Sequence, residues 1–192
     1  MFKQIKKVVL IPGLMVAAMC ATNAQAQEFK PYLGAGVGMF TTDFGVGGFK
    51  ASNAFGFYVN GGVDFNPYVG AELRLGSVAS KGISNSNVGA KVQTDYFLSY
   101  LAKLQFPVTD ELTLYGLVGA STIKATVSNS FQPKASQTNT KFTYGAGLNY
   151  EVADHVRVGA EYVAYNPNAD VVGNTIYAAT LTSFAINASM SF

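Results

Sequence analysis

The segment that most constrains this chain is its last. Phe184, Ile186, Ala188, Met190 and Phe192 fall on one parity, while Ser183, Ala185, Asn187, Ser189 and Ser191 fall on the other. Successive side chains of a strand point to opposite faces, so this period of two predicts a ribbon with one apolar face and one small, polar face. No helix could sort these residues so cleanly, and the ribbon ends on an aromatic residue with no tail after it.

The same alternation recurs upstream in seven more segments, beginning near Phe29, Asn53, Tyr68, Gln93, Leu112, Thr140 and Val156; the last begins near Ile176. Representative apolar faces are Leu33, Ala35, Val37 and Met39 in the first segment, and Tyr96, Leu98, Tyr100, Ala102, Leu104 and Phe106 in the fourth. The connections alternate in length. Asn66-Pro67, Pro107 to Glu111 and Ala153-Asp154-His155 are short turns, whereas 41–52, 79–92, 128–139 and 166–175 are longer and rich in Gly, Asn and Ser. Short turns at one end and long loops at the other are the pattern of an up-and-down barrel with both termini on one side, which requires an even strand count.

The N-terminus predicts an address. Lys3, Lys6 and Lys7 precede an apolar stretch from Val8 to Cys20, and Ala24-Gln25-Ala26 is a small-x-small site, so cleavage falls between Ala26 and Gln27. An uncleaved anchor and lipidation at Cys20 are the alternatives, but the stretch falls short of the ~20 residues of a membrane span. The expected organisation is a signal peptide, 1–26, and one domain, 27–192.

Composition then narrows the class. Charged residues make up 12% of the chain and aromatic residues 13%, with no run long enough for a membrane helix. Few charges and many aromatics without a hydrophobic helix suit a closed sheet in lipid, because only helices and closed barrels satisfy every backbone group there. A soluble, lipocalin-like periplasmic barrel is the alternative. Outward aromatics near strand ends, Phe65, Tyr96, Phe106, Phe142, Tyr150 and Phe192, fit interfacial girdles. The expected fold is therefore an all-β, eight-stranded antiparallel up-and-down transmembrane barrel in the cell outer membrane.

The opposite parity collects Asp64, Glu72, Arg74, Lys103, Glu151, Arg157 and Glu161. An eight-stranded barrel has an interior just wide enough for side chains to fill, so these predict a lumen charge network of ion pairs. A narrow path for protons or small solutes is the other reading. Inward Gly34, Gly36, Gly38, Gly145, Gly147 and Gly159 are expected to make room for large partners.

Chemistry is sparse. Gly-x-Gly-x-Gly at 34–38 lacks the helix and spacing of a dinucleotide fingerprint. His155 is the only histidine and sits in a turn; the only cysteine, Cys20, leaves with the leader. No enzyme constellation, metal set or cofactor site is expected. The leader removes three of thirteen basic residues, which leaves ten against eleven acids and no basic field for nucleic acid.

Pro31-Tyr32-Leu33-Gly34-Ala35-Gly36-Val37-Gly38, Leu114-Tyr115-Gly116, Tyr144-Gly145-Ala146-Gly147-Leu148, Gly159-Ala160-Glu161-Tyr162 and terminal Phe192 resemble the opacity-protein-like, outer-membrane-protein-A-like eight-stranded barrels of Gram-negative bacteria. The resemblance spans the whole segment after the leader. It implies that the barrel assembly machinery reads the terminal strand through Phe184, Ile186, Met190 and Phe192. No peptidoglycan-binding domain is expected to follow. The expected partners are outer membrane lipids, that machinery and a host or surface ligand at the loops. The expected function is structural, adhesive or surface-interactive, with a narrow porin-like channel as the alternative.

Overall fold

The computed structural model describes residues 29–43, 52–79, 81–85, 88–129, 132–166, 170–172, 175–178 and 180–192. Eight strands form the staves: β1 (Lys30–Asp43), β2 (Ser52–Asn66), β3 (Val69–Val78), β4 (Val88–Pro107), β5 (Leu112–Asn129), β6 (Gln132–Ala153), β7 (Val156–Asn166) and β8 (Thr180–Ser191). Each pairs antiparallel with the next, and β8 returns to β1 through an unbroken register from Tyr32↔Ser191 to Asp43↔Thr180. The Phe192 N–H extends that seam, donating to the Pro31 carbonyl at 2.9 Å. Closure leaves no stave with an open edge, the condition for a sheet in hydrocarbon. The leader and its cleavage site, Ala26 and Gln27, lie outside the described residues, as do residues 44–51 of the first loop.

The burial pattern follows the pleat. Leu33, Val37, Leu73, Leu104, Phe184 and Ile186 are exposed, while Tyr32, Tyr58, Arg74, Ser99, Thr143 and Ala185 are buried. A belt of exposed apolar side chains thus runs round the whole cylinder. It far exceeds the few hundred Å² that soluble proteins leave uncovered, and marks a lipid-facing wall. Of the expected girdle, Tyr96, Phe106, Phe142, Tyr150 and Phe192 are exposed on that wall. Phe65 is half-buried, and Phe29 meets it edge-on at 5.9 Å.

The short connections share one end, and each is locked by its own sequence. The Asn66 side-chain oxygen accepts from the N–H groups of Tyr68 and Val69, both at 2.8 Å. Thr109 Oγ1 accepts from the Leu112 N–H at 3.0 Å. His155 takes a positive φ of 68° and offers its carbonyl to the Ser191 N–H at 2.8 Å. This supports the reading of the Asp154-His155 pair as turn chemistry, since histidine is among the few side chains that tolerate the left-handed region.

The long connections differ from expectation. Lys81–Asn85 pairs with Val88–Val92 inside the span read as a loop at 79–92. Across the loop expected at 128–139, β5 and β6 stay paired to Asn129↔Gln132. The eighth segment, placed from Ile176, instead gives Thr175–Ala178 to a small hairpin with Asp170–Val172, and the stave begins at Thr180. The reason is common to all three. Polar composition marks where the chain leaves the lipid, whereas β-pairing can continue beyond that boundary along the ladder already formed.

Candidate functional site

The interior of the cylinder is where the charged residues converge. Glu161 on β7 is its centre and is completely enclosed. Its carboxylate accepts four hydrogen bonds: from Arg74 Nη1 at 2.5 Å and Nη2 at 2.8 Å, from the Tyr58 hydroxyl at 2.8 Å and from the Tyr115 hydroxyl at 2.8 Å. A two-pronged guanidinium–carboxylate contact of this kind is the strongest form of the ion pair. Arg74 Nε also donates to Glu72, which lies two residues away on the same face of β3. The other oxygen of Glu72 accepts from the Tyr32 hydroxyl at 2.7 Å.

A second pair lies nearer the short-turn end. Asp64 accepts from Arg157 Nη1 at 3.0 Å and from Gln105 Nε2 at 2.9 Å. Lys103 is buried with its ammonium 4.8 Å from the centre of the Tyr32 ring and 5.0 Å from that of Tyr115. The Arg157 guanidinium carbon also lies over Tyr32, 5.1 Å from the centre of its ring. Three carboxylates thus face three cations, and tyrosine rings and hydroxyls fill the space between them.

Six of the seven sequence-selected residues meet in this core. Glu151 does not. It is exposed at the short-turn rim, opposite Arg157 in the β6–β7 register, and its N–H donates to the Glu111 carbonyl at 2.9 Å. Two residues from the turn, it has passed the packed layer, and Arg157 reaches inward to Asp64 instead.

Sequence reasoning missed a layer on the long-loop side of the charges. Phe40, Phe97 and Tyr165, from β1, β4 and β7, converge with ring centres 5.7, 6.0 and 4.8 Å apart. Leu101, Leu117, Val163 and Leu181 pack around them. Beneath, Ser99, Ser121 and Thr143 form a chain of hydroxyls at 2.6 and 2.7 Å on adjacent staves. The signal was available: Phe97 shares its parity with Ser99 and Lys103, and Phe40 with Tyr32.

The large rings fit because glycines face them. Tyr58 lies opposite Gly36, Tyr32 opposite Gly62, Phe97 opposite Gly76 and Tyr115 opposite Gly147; a Cβ at any of these glycines would run into the ring. The residual space among Tyr32, Tyr58, Arg74, Lys103 and Asn149 is about 10 Å³, enough for a single water. Among the described residues no group of His, Cys, Asp and Glu is arranged to hold a metal ion.

Comparison with known proteins places this architecture. The family model of the outer membrane protein beta-barrel domain matches residues 13–192. Outer membrane protein A of Salmonella typhi is 31% identical over 131 residues, covering 65% of this chain and 36% of that protein. The attachment invasion locus protein of Yersinia pseudotuberculosis is 32% identical over 114 residues, covering 57% of this chain and 61% of that protein. The chain therefore spans about a third of the length of the outer membrane protein A relatives it matches. Among solved structures, Ail of Yersinia pestis in complex with the heparin analogue sucrose octasulfate aligns with a TM-score of 0.60 at 20% identity, over 86% of this chain and 99% of that one. Neisserial surface protein A aligns with a TM-score of 0.62 at 16% identity, over 84% and 97%. At these identities the structures share the fold.

Proposed function

The chain belongs to the outer membrane protein β-barrel domain family, and from that premise we propose that it acts as a sealed stave cylinder presenting its long-loop end for surface contact. The protein resides in the outer membrane, its apolar wall in lipid. The observation that carries the proposal is the double occlusion of the lumen. Phe40, Phe97 and Tyr165 close the long-loop side, and the paired charges around Glu161 fill the space below. The interior of an eight-stranded barrel is just wide enough for side chains to fill, and here the space among Tyr32, Tyr58, Arg74, Lys103 and Asn149 comes down to about 10 Å³. What remains available for work is the end where β5 and β6 rise furthest from the apolar belt. The kinship with an attachment invasion locus protein supports an adhesive form of that work.

The remaining assignments follow the same reading. Residues 1–26 direct export and are removed after Ala26, which leaves 27–192 as one barrel domain. Phe184, Ile186, Met190 and Phe192, all exposed on the lipid face of β8, are the side chains the assembly machinery reads. The interior does no catalysis: its carboxylates are committed to Arg74 and Arg157, and His155 lies outside it in a turn.

The test is display on a non-adherent Gram-negative strain. Cells carrying the full barrel are expected to attach to epithelial monolayers. Cells carrying a barrel with the β5–β6 hairpin trimmed at 126–137 attach less while keeping the heat-modifiable gel shift of a folded barrel. Equal attachment with and without the barrel contradicts the surface-contact role.

A further inference from the structure

Inside the barrel the charges balance, but the hydrogen bonds are shared unevenly. Asp64, Glu72 and Glu161 match Arg74, Lys103 and Arg157 in number. Arg74 and Arg157 each donate to a carboxylate. Lys103 does not. Among the described residues no acceptor is in hydrogen-bond contact with its ammonium, which lies over the rings of Tyr32 and Tyr115. An ammonium has three N–H groups to place and nothing to accept with.

Two acceptors on the same small cavity are in the complementary position. Asn60 Oδ1 and Asn149 Oδ1 accept no hydrogen bond, and their residues are only 9% and 4% exposed. Both line, with Lys103, Asn187 and Ser189, the space of about 10 Å³ in the lumen. Asn60 Oδ1 rests against Gly34 and Asn149 Oδ1 against Gly159, so a Cβ at either glycine would push an amide out of place. The tyrosine hydroxyls of the cavity cannot serve these oxygens, because Tyr32 donates to Glu72, and Tyr58 and Tyr115 donate to Glu161. Buried polar groups are costly to leave without a partner.

We infer that this cavity is a binding site for one fixed water molecule, which accepts from Lys103 and donates to Asn60 and Asn149. The chemistry of the wall selects the ligand. An anion would satisfy the ammonium and face two amide oxygens; a cation would satisfy the oxygens and face the ammonium. A neutral molecule that both donates and accepts suits all three, and the volume admits one of the size of water, which needs two to four polar partners. The site draws on β2, β4 and β6, three staves that do not neighbour one another, so the water acts as a tie across the lumen beside the Arg74–Glu161 contact. It is independent of what the long-loop end binds.

The experiment records water-to-protein NOE and ROE spectra of the purified mature barrel, labelled with ¹⁵N, in nanodiscs. The side-chain amides of Asn60 and Asn149 are expected to show cross-peaks to water with NOE and ROE of opposite sign, the mark of a long-lived water. Asn149→Leu, checked by gel shift, fills the cavity with an isobutyl group and should abolish the Asn60 cross-peak. Asn60→Leu, read from the Asn149 amide, is the reciprocal variant should the first fail to fold. Absence of the cross-peaks in the wild type overturns the inference. So does an Asn60 cross-peak that survives Asn149→Leu, since the tyrosine hydroxyls remain and would be relaying bulk water. Crystals grown in bromide give a second reading. A single oxygen-sized peak within hydrogen-bond distance of Lys103 Nζ and both amides is expected; an anomalous bromide peak there, or Lys103 bonded directly to the amides, overturns it.

Discussion

Arg74 on β3 and Glu161 on β7, 87 residues apart in sequence, meet across the barrel through two hydrogen bonds of 2.5 and 2.8 Å. Both side chains are essentially inaccessible. The contact ties opposite walls of the barrel together. Removing either partner strands a buried charge, which typically costs 3–5 kcal/mol.

Arg74→Met is therefore expected to lower the unfolding free energy in lipid vesicles by about 3–5 kcal/mol, read from urea titration. Arg74→Met combined with Glu161→Gln should cost less than the two single losses added, because they share one interaction. Strict additivity would show that the pair does not act as a unit.

The glycine–ring contacts give a paired prediction. Gly36→Val places a branched side chain where the Tyr58 ring lies and is expected to destabilise by about 1–3 kcal/mol, the usual cost of overpacking. Tyr58→Ala made in the same chain should recover part of that loss. If the double variant is as unstable as the sum, steric conflict with Tyr58 is not the cause.

How far the sequence carries can be judged from particular residues. The facing of Leu33, Phe184 and Ile186 was legible because a period of two is a local property of each strand. The occupants of the interior were legible as charges and illegible as a structure. That Glu161 receives Arg74, Tyr58 and Tyr115 depends on the stagger between staves that never neighbour one another, and no local pattern encodes stagger. Phe97 and Phe40 were overlooked for a related reason: aromatics on the inner parity break the rule of an apolar outside and a polar inside, yet a narrow cylinder has to be filled by whatever fits. The hairpin that carries β5 to Asn129 was read as a loop because its residues are polar, and polarity reports the lipid boundary more directly than it reports pairing.

The turn at His155 offers a backbone test. With φ at 68°, His155→Gly should be neutral or stabilising by up to about 1 kcal/mol, whereas His155→Val should destabilise by about 1–3 kcal/mol. Thermal unfolding of the three proteins in one detergent would show the order Gly, His, Val. A valine variant as stable as wild type would mean the turn relaxes without cost.

The lipid wall should show a depth profile. Leu73, exposed in the middle of β3, is expected to tolerate arginine poorly, at about 2–4 kcal/mol, while Phe106→Arg near the short-turn rim should cost about 0–1 kcal/mol. Urea unfolding in vesicles measures both, and equal costs would mean that the apolar belt does not face hydrocarbon as assigned.

The most direct test of the closed interior is single-channel recording of the refolded barrel in a planar bilayer. Layers built from Phe40, Phe97 and Tyr165 and from the Arg74–Glu161 pair should leave the current at baseline, without steady openings, across the voltage range. Steady openings in the wild-type protein that disappear when Arg74 or Arg157 is neutralised would contradict a sealed cylinder and make it a channel.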